Sequence, residues 1–170
     1  KSINAQIEEC FVGLDAQGEL QPIWQEANPE LTEKVKALGS FELGYQSEIN
    51  LAIKPWLASM YEALSQGMVL LIDYGFDAAT YYHPDRNSGT LMCHYQHKSH
   101  TDPFIHLGKQ DITTHVDFTD VANSAFELGF DVSGYTNQAA FLIANGITEL
   151  LEKTPEDAYF KTAHAVKMLT

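Results

Sequence analysis

The stretch GMVLLIDYGFDAATYYHPDRNSGTL, residues 67–91, decides the fold class. Five consecutive apolar residues, Met68 to Ile72, lie between Gly67 and Asp73, a pattern typical of a strand buried on both faces in a parallel sheet. In open α/β sheets the ligand crevice lies just beyond the carboxyl ends of such strands. We therefore predict that Asp73 and the loop that follows it face a ligand crevice.

The residues before this stretch predict three elements. Residues 5–25 have the pattern of a hairpin, and residues 28–38 predict a short surface helix. Apolar residues then recur at three- and four-residue steps, which predicts an amphipathic helix from about 46 to 66. Pro55 lies inside this helix, so the helix either kinks or begins there.

The residues after the stretch predict a long loop, several helices and one more strand. Residues 75–116 show no sustained periodicity, and loops of this length are usually functional or disordered. We then predict a helix from Asp117 to Gly129 and an edge strand at 130–135. A helix at 137–152, interrupted at Asn145-Gly146, and a last helix from Thr154 to the chain end are predicted to follow. This order favours an α/β fold, as one side of a doubly wound sheet with too few core strands to be complete.

Composition restricts the class of partner. At 170 residues the chain is long enough for one domain with a hydrophobic core. Its formal net charge of −13 disfavours nucleic acid and anionic membranes, because phosphate repels such a surface, and suits a basic ligand or protein. Cys10 and Cys93 are far apart, which favours free thiols in a reducing compartment. No apolar run approaches the roughly 18 residues of a membrane span, and no signal peptide is evident.

Histidines and aspartates concentrate in the predicted loop. They are His83, His94, His97, His100, His106 and His115, with Asp85, Asp102, Asp111 and, just beyond, Asp117. Such a cluster suits proton transfer, a metal or substrate positioning. The sequence CHYQHKSH, residues 93–100, offers metal ligands, but no second ligand pair occurs elsewhere, and closed zinc sites usually join two pairs. An active-site loop without metal is favoured, and histidines that hydrogen-bond the loop's own backbone are the alternative.

Each single candidate also has a purely structural interpretation. Asp73 follows a predicted strand and can cap a turn, and Asp117 can cap a helix. Glu48 lies near a predicted helix start, where an acidic residue is favoured in any case. Tyr81 and Tyr82 are consistent with packing alone. A nucleophilic triad has little support, since the sequence has no G-x-S-x-G. It also has no P-loop and no G-x-G-x-x-G, so phosphate and dinucleotide binding have no local signature.

A series of short motifs resembles one known family. In chain order the motifs are DYG, YYHP, GTL, CHYQH, HTDPF, QDITTHVDF, GYTNQAAFL and NG. From about residue 45 to 170 the chain resembles the MidA-like family of class I S-adenosylmethionine-dependent methyltransferases. The mitochondrial members of that family are protein-arginine methyltransferases that assist the assembly of respiratory complex I. Thr101 and Leu107 depart from the family pattern, in which Asp and Pro are expected.

The resemblance implies that the chain is the carboxyl-terminal portion of a single Rossmann-like methyltransferase domain. The family's glycine-rich loop, which cradles S-adenosylmethionine, and its acidic-aromatic motif after the fourth strand are expected upstream, outside this chain, so cofactor-binding residues are not assigned. The expected segments are a hairpin and surface insertion at 1–45, a helix and the fifth strand at 46–74, an active-site loop at 75–116, and terminal helices with an edge strand at 117–170.

The resemblance also implies methyl transfer to a basic protein. The reaction is an in-line displacement at a sulfonium methyl and depends on alignment. Carboxylates that hold a guanidinium bidentately orient it and draw charge away from the attacking nitrogen. The residues expected to be catalytic are Asp73, Tyr74, Asp111, His115 and Asp117. Those expected to bind the substrate are Glu48, Arg86, His97, His100 and Asp102, and no metal ligand is expected.

The expected partner is the basic surface of a protein substrate, in particular a respiratory-complex subunit. Neither nucleic acid nor membrane insertion is expected, and the expected location is the bacterial cytoplasm or the mitochondrial matrix. Self-association through the incomplete sheet is a further expectation, because half of a doubly wound sheet leaves an apolar edge uncovered. Two alternatives stay open: a non-catalytic acidic module that binds or assembles a basic partner, and a metal-dependent hydrolase that uses the histidine cluster.

Overall fold

The structure, a computed structural model, describes residues 6–170 and divides into two compact units. The first unit contains the described residues up to Met68 together with Asp73–Phe130, and the second contains Val69–Ile72 together with Asp131–Thr170. Residues 1–5, which include the predicted first residue of the hairpin, lie outside the described residues. Within the described part, no helix has the length and apolar character needed to cross a membrane.

The first unit opens with the predicted hairpin. Strands β1 (Glu8–Leu14) and β2 (Leu20–Glu26) pair antiparallel over their whole length. Gly18 closes the turn: it has a φ of +83°, and its N–H donates to the carbonyl oxygen of Asp15 at 3.1 Å. Glycine suits this conformation because it has no Cβ to oppose a positive φ. The hairpin is therefore confirmed over its described residues.

Two helices follow the hairpin. The helix α1 (Pro29–Leu38) is confirmed, and the side chain of Asn28 caps its first turn. The helix α2 (Ile53–Ala63) is shorter than the predicted range of 46–66. It begins so that Pro55 lies in its first turn, where a backbone N–H would have no partner within the helix. Of the two interpretations of this proline, the helix start is the correct one.

Residues 68–73 do not form a strand, contrary to the prediction. They have no regular structure, and Met68, Leu70 and Ile72 are 81%, 56% and 72% exposed. A strand requires a neighbour that exchanges backbone hydrogen bonds with it, and the sheets formed by the described residues include no strand in this segment. The apolar pattern therefore identified a segment with the composition of a buried strand. This segment has no pairing partner among the described residues.

The predicted loop is built from short elements. In chain order they are β3 (Gly75–Phe76), α3 (Ala78–Tyr81), a 3-10 turn (Pro84–Arg86), β4 (Met92–Tyr95), β5 (Lys98–His100), β6 (Asp111–Thr113) and β7 (Val116–Asp117). The strands β3 and β7 pair in parallel, and β4 lies between β5 and β6 in a small antiparallel sheet. The parallel pair holds the two ends of this region together.

The helix α4 (Phe118–Leu128) completes the first unit and confirms the predicted helix at this position. It ends at Gly129, which has a φ of +99°, as is common for the residue that terminates a helix. The helices α2 and α4 pack against each other, and α2 contributes the buried side chains of Ile53 and Leu57 to the core.

The second unit is largely helical in its described residues. It contains α5 (Gln138–Ala144), α6 (Ile147–Glu152) and α7 (Glu156–Leu169). The predicted interruption at residues 145–146 separates α5 from α6. The strand predicted at 130–135 is wrong, because this segment joins no sheet of the described residues and Val132 is 42% exposed. Small sheets together with helices nevertheless make the chain a mixed α/β protein, as predicted.

Candidate functional site

One cavity in the first unit brings several predicted site residues together. Its volume is about 250 Å³. Glu48, His115 and Asp117 line it, as do Tyr81 and Tyr82. The other lining residues are Lys34, Ile49, Asn50, Ile53, Thr114, Val116 and Asp120. We call it the acidic cavity, because three carboxylates and one ammonium group are among its lining residues.

Glu48 is held in the acidic cavity by donors from a distant loop. Its carboxylate oxygens accept the N–H of Thr90 at 3.0 and 2.9 Å and the N–H of Leu91 at 3.1 Å. Oε2 also accepts the Thr90 hydroxyl at 2.9 Å. A Cβ at Gly89, where φ is +76°, would collide with this carboxylate. Glu48 therefore anchors the loop. Its predicted place near a helix start is wrong, because α2 begins only at Ile53.

Tyr81 connects this anchor to His115. The side chain of Tyr81 is 3% exposed, and its hydroxyl lies 3.3 Å from Oε2 of Glu48 and 3.2 Å from the carbonyl oxygen of His115. The N–H of His115 donates to Oγ1 of Thr90 at 3.0 Å. Burial raises the pKa of Tyr81 to about 12, and the Glu48 carboxylate adds to the rise. The phenol therefore keeps its proton near neutral pH and acts as a hydrogen-bond donor.

Asp117 has two functions at the acidic cavity. Its Oδ1 accepts the N–H of Thr119 at 2.9 Å and that of Asp120 at 3.1 Å, which caps α4 as predicted. The residue is only 8% exposed. Burial first, and the negative charge of Asp117 next, raise the pKa of the Tyr82 hydroxyl. The carboxylate thus stabilises a helix start and also contributes negative charge to the cavity.

A cation already lies at the acidic cavity. Nζ of Lys34 is 2.7 Å from Oδ2 of Asp120, and the two side chains are 28% and 19% exposed. The ion pair joins α1 to the first turn of α4, and pairs of this exposure contribute about 1 kcal/mol or less. With one lysine against three carboxylates, the cavity keeps an excess of negative charge that suits a cationic ligand.

Arg86 stacks on an aromatic ring beside the cavity. Its guanidinium carbon lies 4.2 Å from the centroid of the Phe76 ring, and the His115 ring stacks on Phe76 at 5.0 Å. The first contact is a cation–π interaction. Arg86 is not among the residues that line the cavity, so its contact with the site passes through Phe76.

Four other predicted site residues lie outside the acidic cavity. Asp73 and Tyr74 are exposed, and Oδ1 of Asp73 accepts the N–H of Tyr74 at 2.7 Å, in accordance with the turn interpretation. Asp111 is exposed on β6. Asp102 is exposed, and its Oδ1 accepts a backbone N–H of its own loop at 2.9 Å. The structure therefore does not bring these carboxylates together with Glu48 and Asp117.

Several histidines lie on or near the small antiparallel sheet rather than in one site. His97 is exposed in the turn between β4 and β5, with a φ of +62°. The ring of His106 stacks on Tyr95 at 4.1 Å. Both ring nitrogens of His100 are buried without a hydrogen-bond partner among the described residues. Within residues 6–170, no group of three or more His, Cys, Asp or Glu side chains could hold a metal.

Two residues at the site, Lys34 and Thr90, were not predicted from the sequence. Lys34 is 86 positions from its partner Asp120, and Thr90 is 42 positions from Glu48. Neither contact follows a local spacing rule. The glycine before Thr90 was the available signal, because it marks a position with a positive φ or a close approach.

The fold and the acidic cavity define an α/β protein with a site suited to a cationic ligand. A family model described as "Putative S-adenosyl-L-methionine-dependent methyltransferase" matches residues 2–136. The chain belongs to this family. A comparison with curated proteins gives no match.

Two similar solved structures come from Burkholderia thailandensis. One is an uncharacterised protein with 35% identity and a TM-score of 0.87 over 95% of this chain. The other is described as a "likely methyl transferase" bound to S-adenosyl-homocysteine, with 36% identity and a TM-score of 0.89 over 98% of this chain. This chain covers 44% of each of those chains, less than half of their length. The methyltransferase resemblance and the α/β fold class are confirmed.

The family description implies S-adenosylmethionine as cofactor, but the acidic cavity does not fit the whole molecule. The amino-acid carboxylate of that cofactor requires N–H donors. The cavity presents three carboxylates instead, and its one ammonium group, that of Lys34, is paired with Asp120. The N–H groups of Thr90 and Leu91 already donate to Glu48. A volume of about 250 Å³ is also below the ~300 Å³ at which ligand pockets begin.

Proposed function

We propose that the protein is an S-adenosylmethionine-dependent methyltransferase, and that this chain supplies the substrate side of its site. The observation that carries the proposal is a cavity with three carboxylates, in a chain that belongs to a family of this description. The cofactor-binding loop then belongs to a part of the protein outside this chain, in agreement with the 44% coverage of the similar structures.

The proposed substrate is an arginine on a basic protein. A guanidinium stays protonated and presents donors in a planar fork, so carboxylates orient it well. After the Lys34–Asp120 ion pair, the cavity keeps an excess of negative charge, which supports a cationic substrate. We also propose that the substrate is a subunit of a respiratory complex, as it is for the mitochondrial members of the family that the sequence resembles.

The residues of the acidic cavity have distinct proposed roles. Glu48 already accepts from several donors, so it positions the loop and Tyr81 rather than the substrate. Asp120 is already paired with Lys34, whereas Asp117 uses only Oδ1 for the helix cap. Asp117 therefore supplies the negative charge that attracts a cation and aligns it, and alignment is the main contribution to an in-line displacement. The predicted roles of the residues outside the cavity, Asp73 and Asp111 among them, stay predictions.

The first test is a calorimetric titration of S-adenosylmethionine into the full-length protein and into this chain. We expect binding by the full-length protein and none by the chain. Binding by the chain alone would place the cofactor site within these residues and overturn this part of the proposal. An absence of binding by both would favour the alternative of a non-catalytic acidic module, and zinc in the purified protein by elemental analysis would favour a hydrolase.

The second test is Asp117→Asn in the full-length protein, assayed by transfer of labelled methyl groups to an arginine-rich protein. Asparagine caps helices about as well as aspartate, so the substitution removes the charge and keeps the cap. We expect at least a tenfold loss of kcat/KM with little change in unfolding temperature. Asp157→Asn, an exposed acid in the first turn of α7, is the matched control. Equal activity of the two variants would contradict the role of Asp117.

We further propose that residues 1–170 are the carboxyl-terminal portion of one methyltransferase domain, and that 68–72 pair with strands outside this chain. The exposure of Met68 and Ile72 supports this, because an uncovered apolar segment favours association. Analytical ultracentrifugation of the chain alone should show self-association that Ile72→Lys reduces. A monomer at all concentrations would count against the proposal.

A further inference from the structure

One face of the β1–β2 hairpin is apolar and exposed. Successive side chains of a strand point to opposite faces, so three cross-strand pairs share this face: Cys10–Trp24, Val12–Pro22 and Leu14–Leu20. Val12 and Leu14 are each 63% exposed, and Trp24 is 46% exposed. We call this surface the hairpin face. An exposed tryptophan among aliphatic side chains is typical of a protein–protein contact.

Acidic residues surround the hairpin face. Glu8 and Glu26 stand directly opposite each other on the same face, next to the Cys10–Trp24 pair. Glu19 is exposed at the turn end. No Lys, Arg or His occurs anywhere between residues 2 and 33. Like charges directly opposite in a ladder are destabilising, so a cation supplied by a partner would relieve the repulsion between the two glutamates.

We propose that the hairpin face docks a basic, amphipathic segment of another protein, with apolar side chains on the strip and Lys or Arg beside Glu8 and Glu26. Charge complementarity selects this occupant. A second copy of the chain would bring two such glutamate pairs together, each on a molecule of net charge −13, so the same argument disfavours self-association here. The proposal rests on the hairpin alone and is independent of methyl transfer.

The test uses three fluorescein-labelled peptides with the full-length protein. The probe is a 14-residue amphipathic peptide of Leu and Lys, and the controls replace Lys by Glu or Leu by Ser. Fluorescence polarisation should show binding of the Leu–Lys probe that weakens with added salt. Binding of the Leu–Glu or Lys–Ser peptide with similar affinity would overturn the proposal, because either the charge or the apolar strip would then be irrelevant.

Substitutions locate the binding. Val12→Ser and Trp24→Ser should each raise the Kd of the Leu–Lys probe at least tenfold, whereas Gln25→Ser on the opposite face should leave it unchanged. Glu26→Gln keeps the hairpin's shape and should raise the Kd about threefold while reducing its salt dependence, which a folding defect would not do. Unchanged affinity in Val12→Ser and Glu26→Gln overturns the proposal. So does a wild-type dimer that Val12→Ser converts to a monomer, because the occupant is then a second copy.

Discussion

Replacement of Glu48 tests whether the carboxylate that organises the acidic cavity is a structural anchor. The carboxylate accepts two backbone N–H groups, the Thr90 hydroxyl and the Tyr81 hydroxyl, at 2.9 to 3.3 Å. Thr90 is 8% exposed and Tyr81 is 3% exposed, so water has little access to these donors once the acceptor is removed. The perturbations are Glu48→Ala, which removes every acceptor, and Glu48→Gln, which keeps the shape and removes the charge.

The magnitudes follow from the donors. An unpaired buried donor costs about 1–3 kcal/mol. Glu48→Ala leaves two such donors, the N–H groups of Thr90 and Leu91, without this acceptor, which gives about 4 kcal/mol. The Tyr81 hydroxyl keeps the carbonyl oxygen of His115 at 3.2 Å. Hydrogen bonds to a charged group exceed neutral ones by about 1 kcal/mol. A glutamine oxygen can serve about two of the donors, and its NH₂ can donate to the Thr90 hydroxyl, so Glu48→Gln should cost about 2 kcal/mol.

The assay is urea unfolding of the full-length protein at neutral pH, followed by circular dichroism, with the exposed Glu42→Gln as the control. We expect the loss of stability to be largest for Glu48→Ala, smaller for Glu48→Gln and smallest for the Glu42→Gln control. A loss below about 1 kcal/mol for Glu48→Ala would refute the reasoning, because the donors would then find other partners. So would equal losses for the two variants, since the charge would then contribute nothing.

Three further predictions concern the cavity and the strands beside it. Gly89→Ala should cost more than about 2 kcal/mol in urea unfolding, because its Cβ collides with a carboxylate, whereas Gly18→Ala, with a φ of +83° and open space, should cost about 1 kcal/mol. Wild-type stability should fall as the pH rises from about 10, since the folded-state pKa of Tyr81 is about 12 and the unfolded state ionises first. Thermal unfolding from about pH 8 to 11 should show a smaller fall for Tyr81→Phe, and an equal fall would contradict this assignment. Gly75→Ala should break the β3–β7 pairing, because its Cβ meets the Val116 carbonyl, and unchanged hydrogen exchange at the Val116 N–H would contradict it.

Helices were predictable from the sequence because their determinants are local. Asp117 and Gly129 delimit α4, and Asn28 caps α1, each through contacts within a few residues. Residues 68–73 and 130–135 form no strand among the described residues, contrary to the prediction, for the opposite reason. A strand depends on backbone partners that can be far away in sequence, and an apolar or alternating pattern gives no information about where those partners are.

The acidic cavity was predictable only in part. Three of its residues, Glu48, His115 and Asp117, were candidates because acids and histidines were conspicuous or matched family motifs. The sequence could not show that these three residues meet at one cavity or that Asp73 and Asp111 lie outside it. The pairing of β3 with β7 and the fold of the intervening loop decide which side chains converge. The contact between Glu48 and Thr90 spans 42 positions and has no counterpart in the spacing rules for helices or turns.

The structural and functional interpretations of the cavity carboxylates are compatible. Asp117 caps α4 with Oδ1, and this fixed geometry is what a residue that aligns a substrate needs, because a locked side chain loses little entropy on binding. Glu48 fixes cavity residues in the same way. It accepts the hydroxyl of Tyr81, and that hydroxyl also contacts the backbone carbonyl of His115. The hydrogen bonds that let a carboxylate stabilise the cavity therefore also fix the position of its negative charge. The Asp117→Asn variant separates the structural role from the electrostatic role, because it keeps the helix cap and removes only the charge.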